Sequence, residues 1–151
     1  MAYDAIKASL TYINLLLGDT FEAHRAAVAA SHGIALDTLA AVIRSKQDEY
    51  QYPHAEITPV SGPVEVNGDA VYGEYHRWVM VVDRDADPAA LALRMDAWAT
   101  VLVRTFAKYD APDGTWAVTV SSVDESPPYD KNDTWVAAVG VEVIVKMGSD
   151  L

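Results

Sequence analysis

The stretch DRDADPAAL, residues 83–91, sets aspartates at alternate positions 83, 85 and 87 ahead of a proline. Carboxylates at that spacing serve either a calcium loop or the start of a helix. A calcium loop of the EF type needs glycine at its sixth position and glutamate at its twelfth. Counting from Asp83, those positions hold Pro88 and Arg94, so the ligand pattern fails at both. As a helix start the same residues agree with one another. Asp87 can accept an orphan backbone N–H, Pro88 suits the first helical position, and Asp83 and Asp85 favour the positive end of the helix dipole.

The remaining reactive residue types offer no stronger centre. Histidines stand at 24, 32, 54 and 76. His24 has no second histidine four residues on, as the two-histidine helix of zinc proteases requires. His54-Ala55-Glu56 matches the short H-x-E element of zinc nucleobase deaminases, but those enzymes also need cysteine ligands and the chain has none. Gly68 and Gly73 are spaced as in a phosphate-binding loop, yet Glu74 stands where lysine must reach the phosphates. Adjacent carboxylates such as Asp48-Glu49 and Asp124-Glu125 could act as acid and base. With 22 acidic residues, such neighbours are expected by chance and belong on a solvated face. No catalytic, cofactor-binding or metal-ligating residue is assigned.

The elements that position these residues follow from pattern. Ile6, Leu10, Ile13 and Leu17 mark an amphipathic helix ended by Gly18, and Asp19 with Glu22 resembles a capping box for a second helix reaching Gly33. Leu36, Leu39 and Ile43, with Arg44 and Lys46 in a last turn, predict a third helix. Residues 1–47 thus read as a helical leader and 48–151 as a sheet with a long helix, within one α+β domain. His54 to Val60 predicts a strand near a sheet edge, because Pro53, Pro59 and Pro63 break helices. YGEYHRWVMVVDRD predicts a central strand apolar on both faces, after a turn at VNGD. Leu91, Met95, Trp98, Leu102, Phe106 and Tyr109 form a helical stripe. WAVTVSSVDE and TWVAAVGVEVIVKM predict two further strands, joined by the loop SPPYDKND. The expected fold is N-terminal helices followed by an antiparallel sheet, two strands either side of the long helix that packs on it.

Composition limits the partners. The formal net charge is −11, which repels phosphate, and no basic cluster offsets it. No apolar run approaches the roughly 20 residues needed to cross a bilayer, and the start MAYDAIKASL lacks a secretory pattern, so a soluble protein made in the cytoplasm is expected. Trp98 belongs to the core stripe, whereas Trp78, Trp116 and Trp135 fall on strands. Tyrosines in expected loops favour a protein interface. The interface candidates are Tyr50, Tyr52, Asp69, Tyr72, Asp124, Glu125, Tyr129, Asp130 and Lys131.

The order of elements from residue 47 to 147 resembles the tail-terminator and head–tail joining proteins of tailed bacteriophages. The resemblance rests on the tyrosine-proline entry YPHAEITP, the strand HRWVMVVDRD running into an acidic helix cap, and the terminal strand TWVAAVGVEVIVKM. It implies a structural virion protein without enzymatic activity or cofactor, forming a homo-oligomeric ring, a hexamer, at the head-proximal end of the tail tube. Its implied partners are copies of itself, the tail tube protein and the head–tail connector or stopper. DNA would pass through without specific binding, and no membrane is involved. The protein would be synthesised in the host cytoplasm and end in the virion neck. Two alternatives come from the residues alone: a ligand-binding or hydrolytic domain using His54, His76 and nearby carboxylates, or a monomeric adaptor adding a partner strand near Pro59 and Pro63.

Overall fold

The computed structural model describes residues 2–45, 47, 49–59 and 73–147. Helix α1 (Ala2–Leu15) runs through a kinked junction, Leu16–Thr20, into α2 (Phe21–His32). Gly18 makes the kink, leaving helical geometry at φ −80° and ψ −118°. Leu10, Ile13 and Leu17 are buried as their spacing predicts; the Ile6 side chain lies outside the described residues. The capping box does not form. Thr20 stands at the N-cap position without a side-chain bond, and Glu22 instead clamps Arg25, with Nε 2.8 Å from Oε2. The same Arg25 donates to the Leu36 carbonyl, tying the chain beyond α2 back onto the helix. Gly33 ends α2 in the left-handed conformation at φ 63°, where Ile34 N–H reaches the Ala29 carbonyl.

The third helix expected over Leu36 to Lys46 is absent, so the first 47 residues are not wholly helical. The chain runs extended and forms strand β1 (Ala41–Ile43), which pairs in parallel with His54–Glu56. Spacing alone misled here because Leu36 and Leu39 can also be buried from an extended chain. Val42 and Ile43 favour the pleated surface, and the Ala40 N–H is fixed by the Pro53 carbonyl at 2.7 Å.

β2 (His54–Pro59) and β3 (Gly73–Asp85) are antiparallel. They are followed by α3 (Pro88–Phe106), β4 (Lys108–Asp110), β5 (Trp116–Glu125), β6 (Tyr129–Lys131) and β7 (Thr134–Met147). The order across the seven-stranded sheet is β1-β2-β3-β7-β5-β4, with β6 paired to β7. β2 is near the sheet edge, as expected: the short β1 lies outside it and pairs only with His54–Glu56. All pairings except β1–β2 are antiparallel. The β3–β7 ladder runs unbroken from Gly73–Met147 to Asp85–Trp135 and forms the spine of the sheet.

α3 ends at Phe106, short of Tyr109, which lies in β4 and stacks on Trp116 at 5.0 Å between centroids. Tyr12 stacks on the same indole at 4.2 Å and so docks α1 on this end of the sheet. Part of the expected loop SPPYDKND is β6, turned into β7 by Asn132 and Asp133 at φ 52° and 64°. Two residues with positive φ match the twist of a tight hairpin, and Asn and Asp tolerate that region.

The helices cover one face of the sheet. Trp98, Met95, Leu102 and Phe106 of α3 are fully buried against Tyr75, Val79 and Val81 of β3 and the alternating valines 139, 141, 143 and 145 of β7. Each large side chain buried this way contributes about 1.5–3 kcal/mol. No described element covers the opposite face. Among the described residues, no helix is long and apolar enough to cross a membrane.

Candidate interaction surface

Two-residue periodicity puts His54, Glu56 and Thr58 of β2, Glu74, His76, Trp78 and Met80 of β3, and Ala138, Gly140, Glu142 and Ile144 of β7 on the open face. Its centre is a depression of about 360 Å³ lined by Trp78, Met80, Asp124, Ser126, Ala138 and Gly140. The depression depends on Gly140. A Cβ there would stand 3.1 Å from the Met80 Cβ and 3.5 Å from the Trp78 ring. The floor is apolar and the rim carries a carboxylate and a hydroxyl, a composition suited to another protein surface.

Beside it, His76 lies between two carboxylates. Its Nδ1 is 2.7 Å from Glu142 Oε1 and its Nε2 is 3.0 Å from Glu74 Oε1. Hydrogen bonding to Glu142 leads the causes that raise the imidazole above its ordinary value, partial burial opposes it, and Glu74 adds to it. Glu74 shares the face with His76 because it is two residues away. Glu142 arrives only through the Trp78–Glu142 register of the β3–β7 ladder.

The far end of this face gathers some of the expected interface residues. His54 is buried, with Nδ1 2.8 Å from the Gln51 carbonyl and Nε2 3.1 Å from Glu56, so the H-x-E element is satisfied within itself. Tyr50 stacks on His54 at 5.2 Å and Tyr52 tilts against it at 5.1 Å. Arg84 lies over Tyr52 and Lys131 over Tyr50. Tyr50 and Tyr52 are thus half-buried around a histidine and are not free loop tyrosines, while Lys131 of β6 reaches them across the surface. Tyr129 and Asp130 stay exposed on β6. Asp124 and Glu125 stand on β5, not in a loop, and point to opposite sides, Asp124 to the open face and Glu125 toward α3. Asp69 and Tyr72 lie outside the described residues, as do Gly68, Asp48 and the VNGD turn.

DRDADP resolves into two structures. Asp87 caps α3 by accepting the Ala89 N–H at 3.0 Å. Asp83 and Asp85 also hold Arg94, further along α3. Arg94 Nε lies 3.1 Å from Asp83 and its NH1 2.5 Å from Asp85, while its NH2 donates to the Arg84 carbonyl. The buried Trp98 N–H also donates to Asp83 at 3.0 Å. The backbone N–H of Asp87 first, and then Arg94, hold the Asp85 carboxyl below its ordinary value. Arg94 is one of the two residues that break the calcium pattern, and its role is not legible from spacing because its partners lie on another element.

His54 and His76 cannot share a reaction centre. His54 pairs with Val82, six residues along β3 from His76, which is roughly 20 Å at 3.3 Å per residue. His24 and His32 lie on α2, away from both. Among the described residues, no three His, Asp or Glu side chains converge as a metal site requires. No protein-family model matches the sequence, and no curated protein does so either.

Proposed function

We propose that the protein is a structural assembly subunit of a tailed phage or phage-like particle, acting through protein–protein contacts. It forms a ring, a hexamer, at the head-proximal end of the tail tube, where it ends tail growth and joins the tail to the head connector. The supporting observation is a sheet whose helices cover only one face and whose two ends are unlike. One end is the parallel strand β1 and the other the antiparallel strands β5 and β4. A ring needs two different patches on each subunit, whereas a dimer with twofold symmetry needs only one. The open face with Trp78, Met80 and Ile144 offers a further surface for the tail tube protein or the connector.

The excess of acidic residues suits a lumen that DNA must pass without being held. In this reading the protein is made in the host cytoplasm and ends in the virion neck. Light scattering of the purified chain over a range of concentration and salt tests it, followed by electron microscopy. Rings, or a mass rising toward a ring, support the reading. A strict monomer both alone and after mixing with purified tail tubes overturns it.

A further inference from the structure

One row of the sheet's register crosses the open face as Glu56, Met80, Gly140 and Asp124, on β2, β3, β7 and β5 in turn. The next row sets Trp78 opposite Glu142. The carboxylates of Glu56, Glu142 and Asp124 therefore stand around the depression at Gly140. The first two are already engaged, Glu56 with His54 at 3.1 Å and Glu142 with His76 at 2.7 Å. Asp124, which is exposed and lines the depression, has no hydrogen bond or ion pair among the described residues. No lysine or arginine among them lines the hollow with it. An unpaired carboxylate is thus joined to a half-buried indole and a thioether, Trp78 and Met80.

We propose that this hollow receives an arginine side chain presented by the protein that docks on the open face, its guanidinium over Trp78 and paired with Asp124. The inference rests on the assembly reading above and names the contact by which a tail tube or connector subunit is held. A wholly apolar side chain would take the Asp124 carboxylate out of water with no counter-charge, which costs free energy. An acidic one would add repulsion. A guanidinium avoids both, because it is planar and weakly hydrated, stacks on an indole face and pairs with a carboxylate through two parallel N–H donors. Gly140 leaves the room, since a Cβ there would crowd both Met80 and Trp78. At about 360 Å³ the hollow admits one long side chain and not a helix, which is about 10 Å across. Free arginine fits poorly, because no cation lines the hollow to take its α-carboxylate. The net charge of −11 favours the approach of a basic partner from a distance.

The probe is N-acetylargininamide, with N-acetylcitrullinamide as its uncharged match in shape. Titration of the full-length chain at low salt is followed through the Trp78 indole N–H resonance, assigned with Trp78→Phe. The arginine derivative is expected to shift that resonance with an initial slope at least about threefold that of the citrulline derivative. Asp124→Asn, at an exposed position, should bring the two slopes together. The indoles of Trp98 and Trp116, buried on the covered side, should not respond. In capture by purified tail tubes or connector, Asp124→Lys, with its folding checked by circular dichroism, should weaken binding about tenfold or more. Equal slopes for the two probes on the wild type, no Trp78 response to either, or a preference for arginine that survives Asp124→Asn overturns the anchor whatever the tail tubes do. If Asp124→Lys is captured as well as the wild type, the anchor is wrong while the assembly reading stands. If the probe binds as expected but neither tail tubes nor connector are captured by the wild type, the assembly reading falls and the preference of the hollow for a guanidinium stands.

Discussion

Replacing Asp83 by alanine should be among the most damaging single changes to this fold. Its carboxylate accepts from Arg94 Nε at 3.1 Å, from Trp98 Nε1 at 3.0 Å and from the Arg84 backbone N–H at 2.8 Å. Alanine removes all of these acceptors. The Trp98 N–H, on a residue with no exposed surface, is then left unpaired, and an orphaned buried donor alone costs about 1–3 kcal/mol. Adding the loss of a largely buried ion-pair partner brings the expected cost to about 3–5 kcal/mol. For a chain of this size that corresponds to a fall in Tm of roughly 6–20 °C. Asp85→Ala is the internal comparison. Its side chain is 27% exposed and it holds the same arginine, so its loss should cost about 1 kcal/mol. Asp83→Asn should fall between the two: one oxygen, Oδ2, serves both the indole and Arg94, so keeping it there turns the amide NH2 toward the Arg84 backbone N–H. Urea denaturation of all three, at low protein concentration to limit association, is the measurement. A cost for Asp83→Ala below about 1 kcal/mol, or no greater than that of Asp85→Ala, would refute the reasoning.

Stability should depend on pH through groups at both ends of the range. The raised His76 contributes stability that is fully present below its ordinary value of about 6.5 and lost as pH rises through its folded value; His76→Gln should flatten the alkaline side of a Tm–pH profile. The depressed Asp85 contributes stability present above its ordinary carboxyl value and lost as pH falls through its folded value, a loss that Asp85→Asn should abolish in acid unfolding curves. Among the described residues the buried Tyr75 hydroxyl has no hydrogen-bond partner, so Tyr75→Phe should leave stability unchanged or raise it by up to about 1 kcal/mol in the same denaturation assay. Trp78→Ser combined with Met80→Ser on the open face should change unfolding free energy little compared with a core substitution, yet abolish capture by tail tubes or connector in a pull-down; retained capture would move docking elsewhere.

Much of the scaffold was legible along the chain because its signals are local. The two-residue alternation from Trp135 to Met147 and the four-three stripe from Leu91 to Phe106 each describe one element buried against a single layer. Gly18 and Gly33 marked helix ends through backbone geometry that their neighbours do not alter. Asp87 with Pro88 announced the start of α3 through hydrogen bonds spanning two residues. The segment from Leu36 to Ile43 was misread because its apolar spacing fits both a helix and an extended chain. What decided between them was pairing with His54–Glu56 and the Arg25 bond to the Leu36 carbonyl.

The surface features were decided by register and by contacts between distant segments. Glu142 reaches His76 only because β7 pairs with β3 in one particular register, and a one-residue slip would carry it to the other face. Arg94 finds Asp83 and Asp85 because α3 folds back over the strand that precedes it. Glu125 reaches Asp96 of α3 across an element boundary that no local spacing spans. Sequence by itself determined which residues would be helical or extended wherever the forces act within a few positions. Only the tertiary structure decided which charges face each other, because charges act through space and the chain brings them close only after its core has packed.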